Sequence, residues 1–172
     1  NRVDTEENCF AQVKRFLSYM PQNVWEMPPE VTCTDPVDRC DEELLSIVPR
    51  DRRRPYNMRK LIEHVVDRGS VFEIQPTYGK GLITVLARMN GKVVGVIANN
   101  PMVYGGAMDV KAARKQIHFV ELCDCFHIPL VFLANVNLMT FPEHWTAVRG
   151  FLDALLLPNV LPRYFHFLAA SL

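Results

Sequence analysis

Apolar residues recur at helical spacing at the start of the chain, where Phe10, Val13, Phe16, Leu17 and Met20 share one side of residues 7–20 until Pro21 ends the pattern. A short amphipathic helix is predicted. The pattern then lapses from Pro21 to Pro36, a stretch holding Pro28-Pro29 and no sustained period, which reads as an extended connector. Trp25 and Met27 make it too apolar for a free linker, and both are expected to lie against a surface. Leu44, Leu45, Ile47 and Val48 cluster before Pro49 and suit one or two helical turns. Asn57 then stands where an N-cap belongs, ahead of a helix to Asp67 with Leu61, Ile62, Val65 and Val66 on one side and Gly69 just past its end.

Beyond Gly69 the period shortens. Residues 71–74 and 82–87 are β-favouring runs bounded by turn residues. Asn90-Gly91, between Arg88-Met89 and residues 92–97, is the strongest hairpin signal in the chain and predicts that residues 82–87 pair antiparallel with 93–97. Gly105-Gly106 leads into a helix from Asp109 to Phe126, with Ala113, Ile117, Val120 and Phe126 near one face. Residues 129–133 follow as a buried strand. Periodicity by itself therefore indicates an α/β domain. In the remainder, residues 136–172 carry an apolar, helix-like run over 148–157, then Pro158 and Pro162, with only Glu143, Arg149, Asp153 and Arg163 charged.

Composition narrows the chemistry. At 172 residues and 49% hydrophobic, the chain can build one globular core. Nineteen basic residues balance nineteen acidic ones, so no net field favours nucleic acid or an anionic membrane, and no run is long enough to span a bilayer. Asn1 opens no export signal. The five cysteines form no C-x-x-C pair, and Cys123 and Cys125 point to different faces of a helix, so reduced thiols without metal are expected. His64, His118 and His127 have no carboxylate or cysteine at ligand spacing and read as structural, with His118 at the edge of a buried face. Gly79-Lys80-Gly81 lacks the rest of a phosphate-binding loop and runs into a strand. Asp51-Arg52-Arg53-Arg54 could meet a ligand phosphate or a partner subunit, though a solvated loop is the weightier reading.

Five separated motifs change the picture: Asp35-Pro36-Val37-Asp38-Arg39, Ile47-Val48-Pro49, Pro55-Tyr56-Asn57-Met58, Phe72-Glu73-Ile74 and Gly105-Gly106-Ala107-Met108-Asp109. In order and spacing they resemble the β-type carboxyltransferase subunit of biotin-dependent acyl-CoA carboxylases, at the join between its two halves. The resemblance implies a partial crotonase-like β-β-α superhelix. Residues 1–54 would be the connector helix and linker, 55–135 the opening of the C-terminal carboxyltransferase domain, and 136–172 a divergent apolar tail. It also implies carboxyl transfer from carboxybiotin to an acyl-CoA such as acetyl- or propionyl-CoA. The partners implied are a biotin carboxyl carrier or biotin carboxylase subunit, which carries the biotin, and further copies in a homo-oligomer. A cytoplasmic or mitochondrial-matrix location follows.

Such chemistry asks for backbone N–H groups to hold an enolate or the biotin carbonyl, so no catalytic side chain is assigned. Gly105, Gly106 and Ala107 are the candidate biotin- or CoA-binding turn, because free N–H groups at a helix start attract anions. The plainer reading, that these glycines only permit a tight passage from strand to helix, weighs more. Asn135-Val136-Asn137-Leu138-Met139 stands where the resemblance expects an Asp-Val-Pro-Gly-Phe-like turn, and a Cβ at Leu138 opposes that open turn. The family's later biotin-facing glycine turn and its acyl-CoA half are not found in the sequence. An alternative is therefore kept: a catalytically inactive, shortened paralogue that acts by binding a carboxyltransferase subunit.

Overall fold

Two eight-residue strands joined by Asn90 and Gly91 form the middle of the sheet. The computed structural model describes residues 1–36, 39–49, 51 and 54–133. The N-terminal helix α1 spans Glu6–Leu17, with the Thr5 hydroxyl accepting from the Asn8 N–H at 3.2 Å and Glu6 and Glu7 in the first turn favouring its dipole. The single turn α2, Leu44–Ile47, ends before Pro49, and α3, Met58–Val65, is capped by the Asn57 side chain at the Arg59 N–H. The strands are β1 Phe72–Ile74, β2 Leu82–Met89, β3 Lys92–Asn99 and β4 Leu130–Leu133, with helix α4, Val110–Cys125, between the last two.

The sheet runs in the order β1-β2-β3-β4, antiparallel except for the parallel β3–β4 pair that α4 connects. Val85 opposes Val96 and Met89 opposes Lys92, the register that the hairpin pattern predicts. Asn90 (φ 52°) and Gly91 (φ 78°) both adopt left-handed backbone, as a tight turn matching the strand twist requires. The Asp67 carboxylate accepts from both of their N–H groups, at 2.9 and 2.7 Å, tying the hairpin tip to the end of α3.

Alternation along β2 and β3 sorts their side chains onto two covered faces. Leu82, Leu86, Val93 and Ile97 meet α4 and the Tyr19-Met20 corner, while Ile83, Val85, Ala87, Val94, Val96 and Ala98 meet Met58, Leu61, Ile62 and Val66 from α3. Both faces being dry explains why these strands read as nearly continuous apolar runs. Each fully buried Val, Leu or Ile contributes roughly 1.5–3 kcal/mol, so the two layers dominate the stability of this part of the fold.

Several side-chain expectations are corrected. Trp25 and Met27 are 91% and 71% exposed rather than laid on a surface, because the connector is held by backbone contacts such as the Val31 N–H to Gly91 O bond at 3.1 Å. In α4 the buried face is Ala112, Lys115, Phe119 and Cys123, so Ile117 faces solvent and His118 is exposed instead of edging a core. Val65 is at the surface while Val66 is buried, since α3 ends between them. Strand β4 forms as expected but is only half buried, with Phe132 57% exposed, because among the described residues it is the last strand of the sheet. The expectations for the turn 135–139 and for the apolar run 148–157 lie outside the described residues.

Candidate functional site

The carboxyl ends of β3 and β4 are where an open α/β sheet offers a crevice to ligands. From the end of β3, Asn99 and Asn100 lead into a 3-10 turn, Tyr104–Gly106, and then to Asp109, which caps α4 by accepting the Ala112 N–H at 2.7 Å. Tyr104, Gly105 and Gly106 have φ of 49°, 64° and 83°, three left-handed residues in a row, so the two glycines are required by the backbone path itself. Gly106 presses on the Asn99 side chain: a Cβ there would sit 2.6 Å from Asn99 Nδ2. Gly105 is open on its Cβ side.

The N–H groups of Gly106 and Ala107 donate to Val103 O at 2.9 Å and Tyr104 O at 3.2 Å. Two of the three candidate donors are thus used within the turn itself, and in this conformation the geometry accords with the tight passage from strand to helix. The outward side is apolar, with Met102, Tyr104 and Val110 exposed and Met108 partly so. The Asn99 Oδ1 atom is buried without a hydrogen-bond partner among the described residues. Chemically, the turn presents an apolar lip with one acceptor behind it. The three residues singled out from sequence, Gly105, Gly106 and Ala107, do come together here, and Asn99 was missed because its role depends on Gly106 lying against it.

A second polar cluster explains the Asp35–Arg39 motif. Arg39 pairs with Asp35 at 2.6 Å and donates to the His64 and Val66 carbonyls at 2.7 and 2.9 Å, so it closes the C-terminal end of α3. His64 meets Asp41 at 2.8 Å through Nδ1 and Glu43 at 3.3 Å through Nε2, carboxylate partners that the sequence reading, which searched only ligand spacing, did not find. No spacing rule finds partners that far away in sequence. The His64 hydrogen bond, with Arg39 and Arg68 nearby, holds the Asp41 carboxyl below its usual range. Asp41, Glu43 and His64 line a cleft of about 660 Å³ with Arg15 and Arg68, in which Asp41 is paired with both His64 and Arg68. Among the described residues no His, Cys, Asp or Glu group has the makings of a metal site, and no helix is long and apolar enough to cross a membrane.

Comparison with known proteins adds the family. The carboxyl transferase domain matches residues 2–137. The methylmalonyl-CoA decarboxylase subunit alpha of Veillonella parvula is 39% identical over 134 residues, 78% of this chain and 26% of that protein. The human mitochondrial propionyl-CoA carboxylase beta chain is 38% identical, over 77% of this chain and 25% of its own length. A crystal structure of transcarboxylase 12S, a hexamer with methylmalonyl-coenzyme A and methylmalonic acid bound, superposes with a TM-score of 0.69 at 39% identity, covering 73% of this chain and 24% of that one. The chain therefore spans about a quarter of the length of these relatives.

Proposed function

The chain belongs to the carboxyl transferase domain family and carries its crotonase-like fold, and from that premise we propose that it is a segment of a biotin-dependent acyl-CoA carboxyltransferase. The reaction would move a carboxylate from carboxybiotin, carried by a partner subunit, to the α-carbon of an acyl-CoA such as propionyl-CoA. The observation that carries this reading is the match across residues 2–137, in which the sheet, the turn 104–109 and α4 all fall. In the reaction, the turn would serve as an apolar wall at the carboxyl end of β3, with Gly105, Gly106 and Ala107 facing biotin or CoA, and the Gly106 and Ala107 N–H groups would donate to the ligand only if their present internal hydrogen bonds were exchanged for it. Copies in a homo-oligomer and a biotin-carrying partner belong to the same proposal, as does a cytoplasmic or mitochondrial-matrix location.

Leu138 favours a second reading, that of a catalytically silent chain that binds a carboxyltransferase subunit. Removal of one oxyanion donor costs on the order of a hundredfold in rate or more, and Leu138 stands where the family resemblance expects the glycine of such a turn. The test uses a chimera in which residues 2–133 replace the matched segment of the human propionyl-CoA carboxylase beta chain. Propionyl-CoA carboxylation by the assembled chimera is expected. A second chimera that carries residues 2–139, and so Leu138, separates the readings: turnover by the first chimera alone favours the silent reading, and turnover by both overturns it. The 172-residue chain assayed alone is expected to give no turnover, and turnover free of contaminating carboxylase would show that Leu138 has been misjudged.

A further inference from the structure

Among the described residues Lys115 is the one charged side chain that is buried, 1% exposed in the second turn of α4, and nothing in the proposed chemistry uses it. A lysine almost never sits fully inside a protein without a specific partner. Its Nζ donates to the Leu82 carbonyl at 2.9 Å. Leu82 closes the loop that carries Gly79-Lys80-Gly81, so the glycine motif dismissed as a phosphate loop has a different use.

Three successive carbonyls along that loop each accept a hydrogen bond from Asn100 or Lys115. Lys80 O accepts from Asn100 Nδ2 at 2.8 Å, Gly81 O from the Asn100 N–H at 2.9 Å, and Leu82 O from Lys115. Asn100 is itself buried, and its Oδ1 accepts the Met102 N–H at 3.2 Å, where the path toward the glycine turn begins. The two glycines let the loop approach closely. A Cβ on Gly81 would lie 2.7 Å from Ala107 O, and one on Gly79 would lie 2.8 Å from Lys111 O, in the first turn of α4. The loop is thus wedged between the turn and the helix that the turn begins.

We propose that Lys115 is a positioning residue: from α4 it fixes the β1–β2 loop, and through Gly81 and Asn100 that loop fixes the turn at Tyr104–Asp109. The assignment deepens the carboxyltransferase reading and rests on it for its functional meaning, since the turn is the part of that site this chain supplies. Burial lowers the Lys115 pKa to about 8, with Glu73 on β1 opposing that shift and Arg59 on α3 adding to it. The ammonium is therefore expected to titrate within reach of solution spectroscopy.

The experiment is residue-resolved amide NMR with hydrogen exchange on the 172-residue chain and its Lys115→Met variant, which keeps the apolar stem and removes the donor. Expected are shifted Gly106 and Ala107 resonances that no longer titrate near pH 8. Their exchange should be faster on the order of tenfold, with the central hairpin amides of Val85 and Val96 unchanged. If Lys115→Met fails to fold, titration of the wild-type chain decides the matter: the Gly106 and Ala107 amides should shift with a midpoint near pH 8 while those of Val85 and Val96 do not, and a flat titration of the turn overturns the role. An unchanged turn in the folded variant, or turn and hairpin loosening together, overturns the positioning role whatever the chimera does. A dead chimera with the turn still responding to Lys115 would sink only the carboxyltransferase reading.

Discussion

Two buried titratable side chains on one face of α4 make opposite demands on pH. Burial lowers the Lys115 pKa from 10.5 to about 8 and raises that of the Cys123 thiol from 9.0 to about 12. Between pH 8 and 10.5 the unfolded chain binds the lysine proton more tightly than the folded one, so the lysine contribution makes stability rise with pH. Between pH 9 and 12 the folded chain keeps the thiol proton that the unfolded chain loses, so the cysteine contribution makes stability fall. Urea unfolding of the wild-type chain against Lys115→Met at pH 7.5 and pH 10 should therefore show the wild type gaining on the order of 2 kcal/mol relative to the variant. Because Cys123 is common to both proteins, its opposing effect cancels in the comparison. Equal pH dependence in the two would mean that Lys115 reaches water in the folded state.

Helix α4 and strand β3 meet at Gly95, and here the packing of elements is tight enough to measure. A Cβ at Gly95 would sit 2.7 Å from Cys123 Sγ and 2.9 Å from Leu130 Cδ2, so Gly95→Ala should push α4 or β4 from the sheet and cost about 1–3 kcal/mol. Adding Cys123→Ala should recover part of that loss in a double-mutant cycle, while strict additivity would place the strain elsewhere. Helix α1 is the contrasting case. It buries none of its residues, and Arg15 joins it to the sheet by donating to Gly69 O at 3.1 Å and Val71 O at 2.8 Å. Phe16 and the Phe72 ring, 6.3 Å apart between centroids, add a small apolar contact. Arg15→Ala is expected to speed proteolysis within residues 6–17 while the unfolding midpoint of the hairpin changes little, and a matching drop in both would make α1 part of the cooperative core.

At the scale of the whole molecule, the connector places Trp25 in water, so Trp25→Ser should shift the unfolding free energy by no more than about 0.5 kcal/mol, and a larger loss in denaturant titration would mean that it packs in solution. The same region shows how far a linear reading extends. The motif Asp35-Pro36-Val37-Asp38-Arg39 carried the family resemblance, but its physical task, Arg39 on the carbonyls of α3, was legible only with the helix end in place. Likewise, Gly105 and Gly106 were found as a turn from sequence, whereas the internal use of the Gly106 and Ala107 N–H groups and the buried Asn99 Oδ1 required coordinates. Caps at Asn57 and Asp109, the Asn90-Gly91 turn and the apolar runs of β2 and β3 were determined by the sequence itself, because each depends on neighbours within a few residues. Only the tertiary structure decided that α4 buries Lys115 and Phe119 instead of Ile117, that His64 meets Asp41, and that Gly81 supports Ala107. Those outcomes turn on contacts between atoms remote along the chain, where a shift of one helical residue, about 100°, exchanges a buried side chain for an exposed one and leaves the local pattern almost unaltered.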